Sequence, residues 1–124
     1  MKFDLILHDG KIMNGFDEFP QNFDIGIKND KIISVGDLKN EASTKKINCK
    51  NLIVLPGVID TQVHFREPGL THKEDIEFAS KAAVMGGVTA FCEMPNTNPL
   101  TTSEKELNWK LLKAKNVSWC DYSF

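Results

Sequence analysis

Apolar residues recur at every second position in the first part of the chain and at helical spacing in much of the rest. Phe3, Leu5 and Leu7 share one face of a predicted strand over residues 3–8. Asp9-Gly10 follows as a hairpin-turn signal, with Lys11 to Met13 as the returning strand. A polar loop dotted with aromatics, Asn14 to Asn22, leads to Phe23-Asp24-Ile25-Gly26-Ile27. Asn29-Asp30 then turns the chain into Lys31 to Gly36. Residues 37–46 are polar without apolar periodicity, as an exposed connector would be. Ile47 to Leu55 reads as one further strand, closed by Pro56-Gly57. The pattern predicts a small antiparallel β unit with two hairpins.

From Val58 the rhythm changes. Val58 to His64 predicts a buried strand, and Arg66-Glu67-Pro68-Gly69 a turn. Thr71-His72-Lys73-Glu74 matches a capping box, with Ile76, Ala79 and Ala83 at helical spacing behind it and Gly86-Gly87 as the stop. Val88 to Met94 is a second apolar strand, ending at Pro95-Asn96-Thr97-Asn98-Pro99. Ser103 and Glu106 offer another capping box, for a helix to about Lys115, and Val117 to Phe124 reads as a third strand. This β-α-β-α-β order predicts a parallel sheet or barrel. A closed barrel needs eight strands and about 250 residues. Three strands leave an edge unpaired and bury little apolar surface. The expectation is therefore the N-terminal piece of a longer protein.

Composition narrows the classes. With 124 residues, 41% hydrophobic and 26% charged, the chain is globular in make-up, and a net charge of −2 gives no long-range pull towards nucleic acid or anionic membrane. Lys110 to Lys115 reads as the solvated face of a helix. Cys49, Cys92 and Cys120 are odd in number, far apart and without a CxxC pair, which predicts reduced thiols in a cytoplasmic protein. The first residues carry an acidic side chain where a signal peptide needs an apolar run, and no stretch approaches the ~20 apolar residues of a membrane span.

The candidate chemistry lies in Leu55-Pro-Gly-Val-Ile-Asp-Thr-Gln-Val-His-Phe-Arg-Glu-Pro-Gly69. Period-two alternation puts Gln62 and His64 on one strand face, about 7 Å apart. Residues 55–102 resemble the N-terminal signature of dihydroorotases, within the metal-dependent amidohydrolase superfamily. Val63-His64-Phe65-Arg66-Glu67-Pro68-Gly69 is similar to the first barrel loop of those enzymes, and Glu93-Met94-Pro95-Asn96-Thr97 to the loop after the second strand. The nearest relatives of that family, allantoinases and hydantoinases, usually lack the arginine at position 66. The resemblance implies an α/β fold. A β-sandwich segment would occupy residues 1–55, and residues 56–124 would form the first β-α-β-α-β units of an incomplete (β/α)8 TIM-type barrel.

The resemblance also implies a hydrolase that interconverts dihydroorotate and N-carbamoyl-L-aspartate in pyrimidine biosynthesis. Zn2+, one or two ions in the complete protein, would polarise the ring amide and lower the pKa of bound water. His64 would be a metal ligand, and Arg66 and Asn96 would bind the substrate. A guanidinium grips a carboxylate in a bidentate fork, and a carboxamide offers both a donor and an acceptor. The general base and the bridging lysine of the family would lie beyond these residues, and no catalytic residue is assigned among them.

Each residue has a plainer reading. His64 could be a hydrogen-bonded core histidine, Arg66 could pair with Glu67 or Asp60, and Asn96 could form an Asx turn. Gln62 departs from the family's His-x-His, and its carboxamide is a weak ligand for zinc. It could bind metal feebly, hydrogen-bond beside a metal held by others, or mark a broken site. The last option would make the protein a non-catalytic homologue that serves as a structural partner of aspartate transcarbamoylase. A related cyclic amidase, of the hydantoinase or allantoinase kind, is a further alternative. A homo-oligomer is compatible with each of these.

Overall fold

A computed structural model describes residues 2–16 and 19–124; residues 17 and 18 of the predicted loop, and Met1, lie outside the described residues. The chain divides into two compact units, Met1–Pro56 and Gly57–Phe124.

The first unit holds seven strands among its described residues: β1 Phe3–His8, β2 Lys11–Ile12, β3 Gln21–Asn22, β4 Asp24–Lys28, β5 Lys31–Gly36, β6 Ser43–Asn48 and β7 Ile53–Val54. They form a four-stranded sheet ordered β5-β4-β1-β6 and a three-stranded sheet ordered β3-β2-β7, each mixed rather than antiparallel as expected, because β6 runs parallel to β1 and β7 parallel to β2. The turn expected at Asn29-Asp30 joins β4 to β5. Both residues are left-handed, at φ 49° and 58°, as a tight hairpin with right-handed strand twist requires. Phe3, Ile6 and Leu38 form the core of this unit. Gly26 leaves room for the Phe3 ring, since a Cβ there would lie 2.4 Å from it.

Three expectations are corrected here. Asp9-Gly10 does not close a hairpin, because β1 and β2 belong to different sheets. Asp9 N–H donates to the buried carboxylate of Asp24, which also accepts from Leu38 N–H. A Cβ on Gly10 would lie within 2.9 Å of Val54 and Cys49, so this dipeptide carries the chain from one sheet to the other. The polar connector contains the start of β6, which pairs parallel to β1 (Leu7 with Ile47) with its side chains mostly exposed. An exposed strand has no apolar alternation to display. The single strand from Ile47 to Leu55 is in fact the end of β6 and all of β7, broken by a turn with Asn51 at φ 67°.

The second unit runs β8 Val58–Val63, α1 Ile76–Met85, β9 Val88–Glu93, α2 Glu104–Val117 and β10 Asp121–Ser123. Its three strands are parallel, in the order β10-β9-β8. Phe91 on β9, Ile76 on α1 and Ala114 on α2 form the buried centre, with Val63, Phe65, Tyr122 and Phe124 packed around it. The Phe65 and Phe91 rings meet at 4.5 Å. Removing Phe91 from water contributes about 2–3 kcal/mol.

Strand β8 was expected to be buried, yet Val58 and Ile59 are 51% and 64% exposed. β8 pairs only with β9 among the described residues, which makes it an edge strand of this sheet. The cap of α1 is Asp75 rather than Thr71. Residues 71–73 are in turns, and the Asp75 carboxylate accepts from Phe78 N–H at 2.9 Å. Ser103 stands at the N-cap of α2, its hydroxyl donating to the Glu106 carboxylate and accepting from no backbone N–H. This holds the Glu106 carboxyl below its ordinary value. The helix continues to Val117, so β10 is shorter than the expected third strand.

Candidate active site

The site residues lie just past the C-terminal ends of β8 and β9, where parallel strands of this kind deliver side chains to a common face. His64 follows the last residue of β8. Its Nδ1 lies 2.8 Å from Asn96 Oδ1, three residues past the end of β9. A carboxamide oxygen only accepts, so Nδ1 carries the proton and the Nε2 lone pair is left free. That is how a ligating imidazole is usually oriented by a neighbour. Asn96 therefore spends its oxygen on His64, not on an Asx turn, and keeps its NH2 group for another acceptor.

Arg66 sits two residues on, in a left-handed conformation at φ 66° that costs an L-residue roughly 1–2 kcal/mol. Its guanidinium makes no hydrogen bond or ion pair with any other described residue. Glu67, one expected partner, is engaged elsewhere: Oε2 accepts from Ile76 N–H at 3.1 Å and Oε1 pairs with Lys113 at 3.1 Å. Asp60, the other, accepts from Gln62 N–H. His64 and Arg66 share the wall of one open cavity of about 550 Å³, which also takes in Asp60, Lys73, Glu74 and the alanines of α1.

The two loops are locked to each other. Asn98 N–H donates to the Pro68 carbonyl at 3.0 Å, and Gly69, at φ 85°, packs directly on Asn98. Thr97 is buried, its hydroxyl donating to the Pro99 carbonyl.

Gln62 is exposed and is not on the cavity wall. The pairing of β8 slips between Asp60 and Val63, which interrupts the regular alternation expected there. No group of three or more His, Cys, Asp and Glu among the described residues could hold a metal ion. One imidazole and one neutral carboxamide do not make a zinc centre, so the described residues do not fit a metal by themselves.

Three residues of the neighbourhood were given no site role from the sequence, Glu93, Lys110 and Lys113, and Glu67 was expected only as a partner of Arg66. Lys110 is fully buried, contrary to the solvated face expected for Lys110 to Lys115. Its Nζ stands 2.7 Å from Glu93 Oε2. The contact is an ion pair between two fully buried side chains. Burial pushes the Glu93 carboxyl above its ordinary value, and Lys110 pulls it partly back. The signal was available: position 110 falls on the inward stripe of α2 with Leu107 and Ala114, and Glu93 has the strand parity of Phe91.

Comparison with known proteins places this arrangement. Residues 51–121 match the family model described as dihydro-orotase-like. The chain belongs to that family. It is 40% identical over 116 residues to the dihydroorotase of Aquifex aeolicus (strain VF5), covering 94% of this chain and 28% of that protein. It is also 40% identical over 119 residues to the dihydroorotase of Pyrococcus abyssi (strain GE5 / Orsay), covering 94% and 27%. Among solved structures, an L-hydantoinase (dihydropyrimidinase) from Arthrobacter aurescens superposes with a TM-score of 0.82 at 28% identity, over 97% of this chain and 27% of that one. The chain thus spans little more than a quarter of the length of the relatives it matches. The fold is the β-sandwich segment and first β-α-β-α-β units of a TIM-type barrel, shared with solved hydantoinases. No helix among the described residues is long and apolar enough to cross a membrane.

Proposed function

We propose that this chain contributes the first two strand-end loops of a dihydroorotase active site, in a protein that opens and closes the dihydroorotate ring. The observation that carries the proposal is the uncommitted guanidinium of Arg66 beside His64 in one cavity, with Asn96 hydrogen-bonded to that histidine. The carboxylate is what separates dihydroorotate from a plain dihydropyrimidine, and Arg66 is the group suited to grip it. Asn96 NH2 adds a donor for the carboxylate or the ring carbonyl. In the whole protein His64 Nε2 would be one ligand to zinc, with the remaining ligands from residues outside this chain. Three unpaired cysteines suit a cytoplasmic setting.

Two other readings have specific support. Gln62 in place of the family's first histidine, and its absence from the cavity wall, favour a silent homologue that assembles with a partner such as aspartate transcarbamoylase. The close superposition on a hydantoinase favours another cyclic amidase. One experiment separates the three. Full-length protein and its Arg66→Met variant are assayed with dihydroorotate and with dihydrouracil, which lacks the carboxylate. Loss of a buried charge pair costs 2–5 kcal/mol, so KM for dihydroorotate rises at least about thirtyfold while dihydrouracil is unaffected. No turnover of either compound supports the silent homologue. Preference for dihydrouracil supports the cyclic amidase.

A further inference from the structure

Helix α2 carries two lysines one turn apart, and each reaches a different one of the two loops that bear the candidate site residues. Lys110 Nζ lies 2.7 Å from Glu93 Oε2 and 3.4 Å from the Met94 carbonyl, the two residues that lead from β9 into Pro95-Asn96. Glu93 is paired in register with Val63, immediately before His64, and Met94 N–H donates to the Val63 carbonyl at 2.9 Å. Three positions on, Lys113 Nζ reaches Glu67 in the loop that carries Arg66. Positions i and i+3 lie on one helix face, so a single face of α2 braces both loops. Burying an ion pair gives little net stability, and well-packed apolar residues of similar size serve at least as well. Stability alone does not account for the charged pair at Lys110 and Glu93, whose side chains are both fully buried.

We propose that Lys110 with Glu93, and Lys113 with Glu67, are positioning residues: they hold the two strand-end loops so that Asn96 meets His64 and Arg66 faces the same cavity. Neither lysine touches the cavity that His64 and Arg66 line. Each acts through the backbone segment it braces. The kinetic consequence rests on the proposed function; the geometric consequence does not.

The test uses the full-length protein with Glu93→Gln and Lys110→Met combined, which removes both buried charges at similar volume, and Lys113→Met separately. The geometric readout is solvent exchange of the His64 Nδ1 proton, followed by NMR. The kinetic readout is kcat and KM for dihydroorotate. In the double variant the melting temperature stays within a few degrees of the parent, the Nδ1 proton exchanges at least about tenfold faster, and kcat/KM falls on the order of 10- to 100-fold. A stable double variant with unchanged His64 exchange overturns the proposal. Should the double variant not fold, Lys113→Met decides. The Leu70 amide, which donates to the Arg66 carbonyl at 3.0 Å, exchanges at least about tenfold faster if the brace is real. Unchanged exchange there refutes it. If the parent protein turns over no dihydroorotate, the proposed function fails, and the His64 and Leu70 exchange rates still judge the bracing.

Discussion

The docking of the two loops at Gly69 can be measured without reference to any activity. In Gly69→Ala the new methyl would lie 2.0 Å from the Asn98 carbonyl oxygen and 2.7 Å from Asn98 Cβ, on a backbone held at φ 85°. Two costs follow. A side chain in the left-handed region costs roughly 1–2 kcal/mol. The methyl must also push Asn98 away, and Asn98 N–H is what donates to the Pro68 carbonyl at 3.0 Å. Losing that bond costs about 1 kcal/mol, and more if the groups stay buried without partners. The sum is about 2–4 kcal/mol. Gly87→Ala is the control, because Gly87 has φ 89° but open space around its missing Cβ. It carries the conformational cost alone, and the gain from a stiffer unfolded chain is common to both variants. Urea unfolding of the two should differ by about 1–2 kcal/mol at equal m, with Gly69→Ala the weaker. Equal losses would show that the loops are not in contact at this point.

Other consequences can be checked alongside. Asp75→Ala should destabilise the protein by about 1 kcal/mol through loss of the α1 cap, while Thr71→Ala leaves the urea midpoint unchanged; the reverse order would restore the capping box at Thr71. Glu93 carries a pH signature. Its folded-state carboxyl is raised above the ordinary 4.5, so the folded protein holds that proton more tightly than the unfolded chain does. The contribution of Glu93 to stability is therefore full below 4.5 and is lost as pH rises through the raised value. Subtracting the stability of the Glu93→Gln, Lys110→Met variant from that of the parent isolates this contribution. A difference that grows with pH over that window contradicts the assignment.

The sequence by itself determined the elements with strong local signals. Strand β1, the Asn29-Asp30 turn and the β-α-β-α-β order after Pro56 are all present in the structure, although Ile6 rather than Leu5 or Leu7 joins Phe3 in the core. Local chemistry suffices there, because two left-handed turn residues or an apolar helix stripe have few alternative uses. The motif around His64, Arg66 and Asn96 was legible only through its resemblance to dihydroorotases, and the contact between His64 and Asn96 belongs to the folded chain. Tertiary structure decided what depends on a distant neighbour. Asp9-Gly10 crosses between sheets because Asp24, Val54 and Cys49 receive it. The exposed β6 exists because β1 offers it a parallel edge. Lys110 is buried because Glu93, seventeen residues earlier in the chain, lies opposite it. Residue type constrains the partner a group needs, and only the folded chain settles which partner comes within reach.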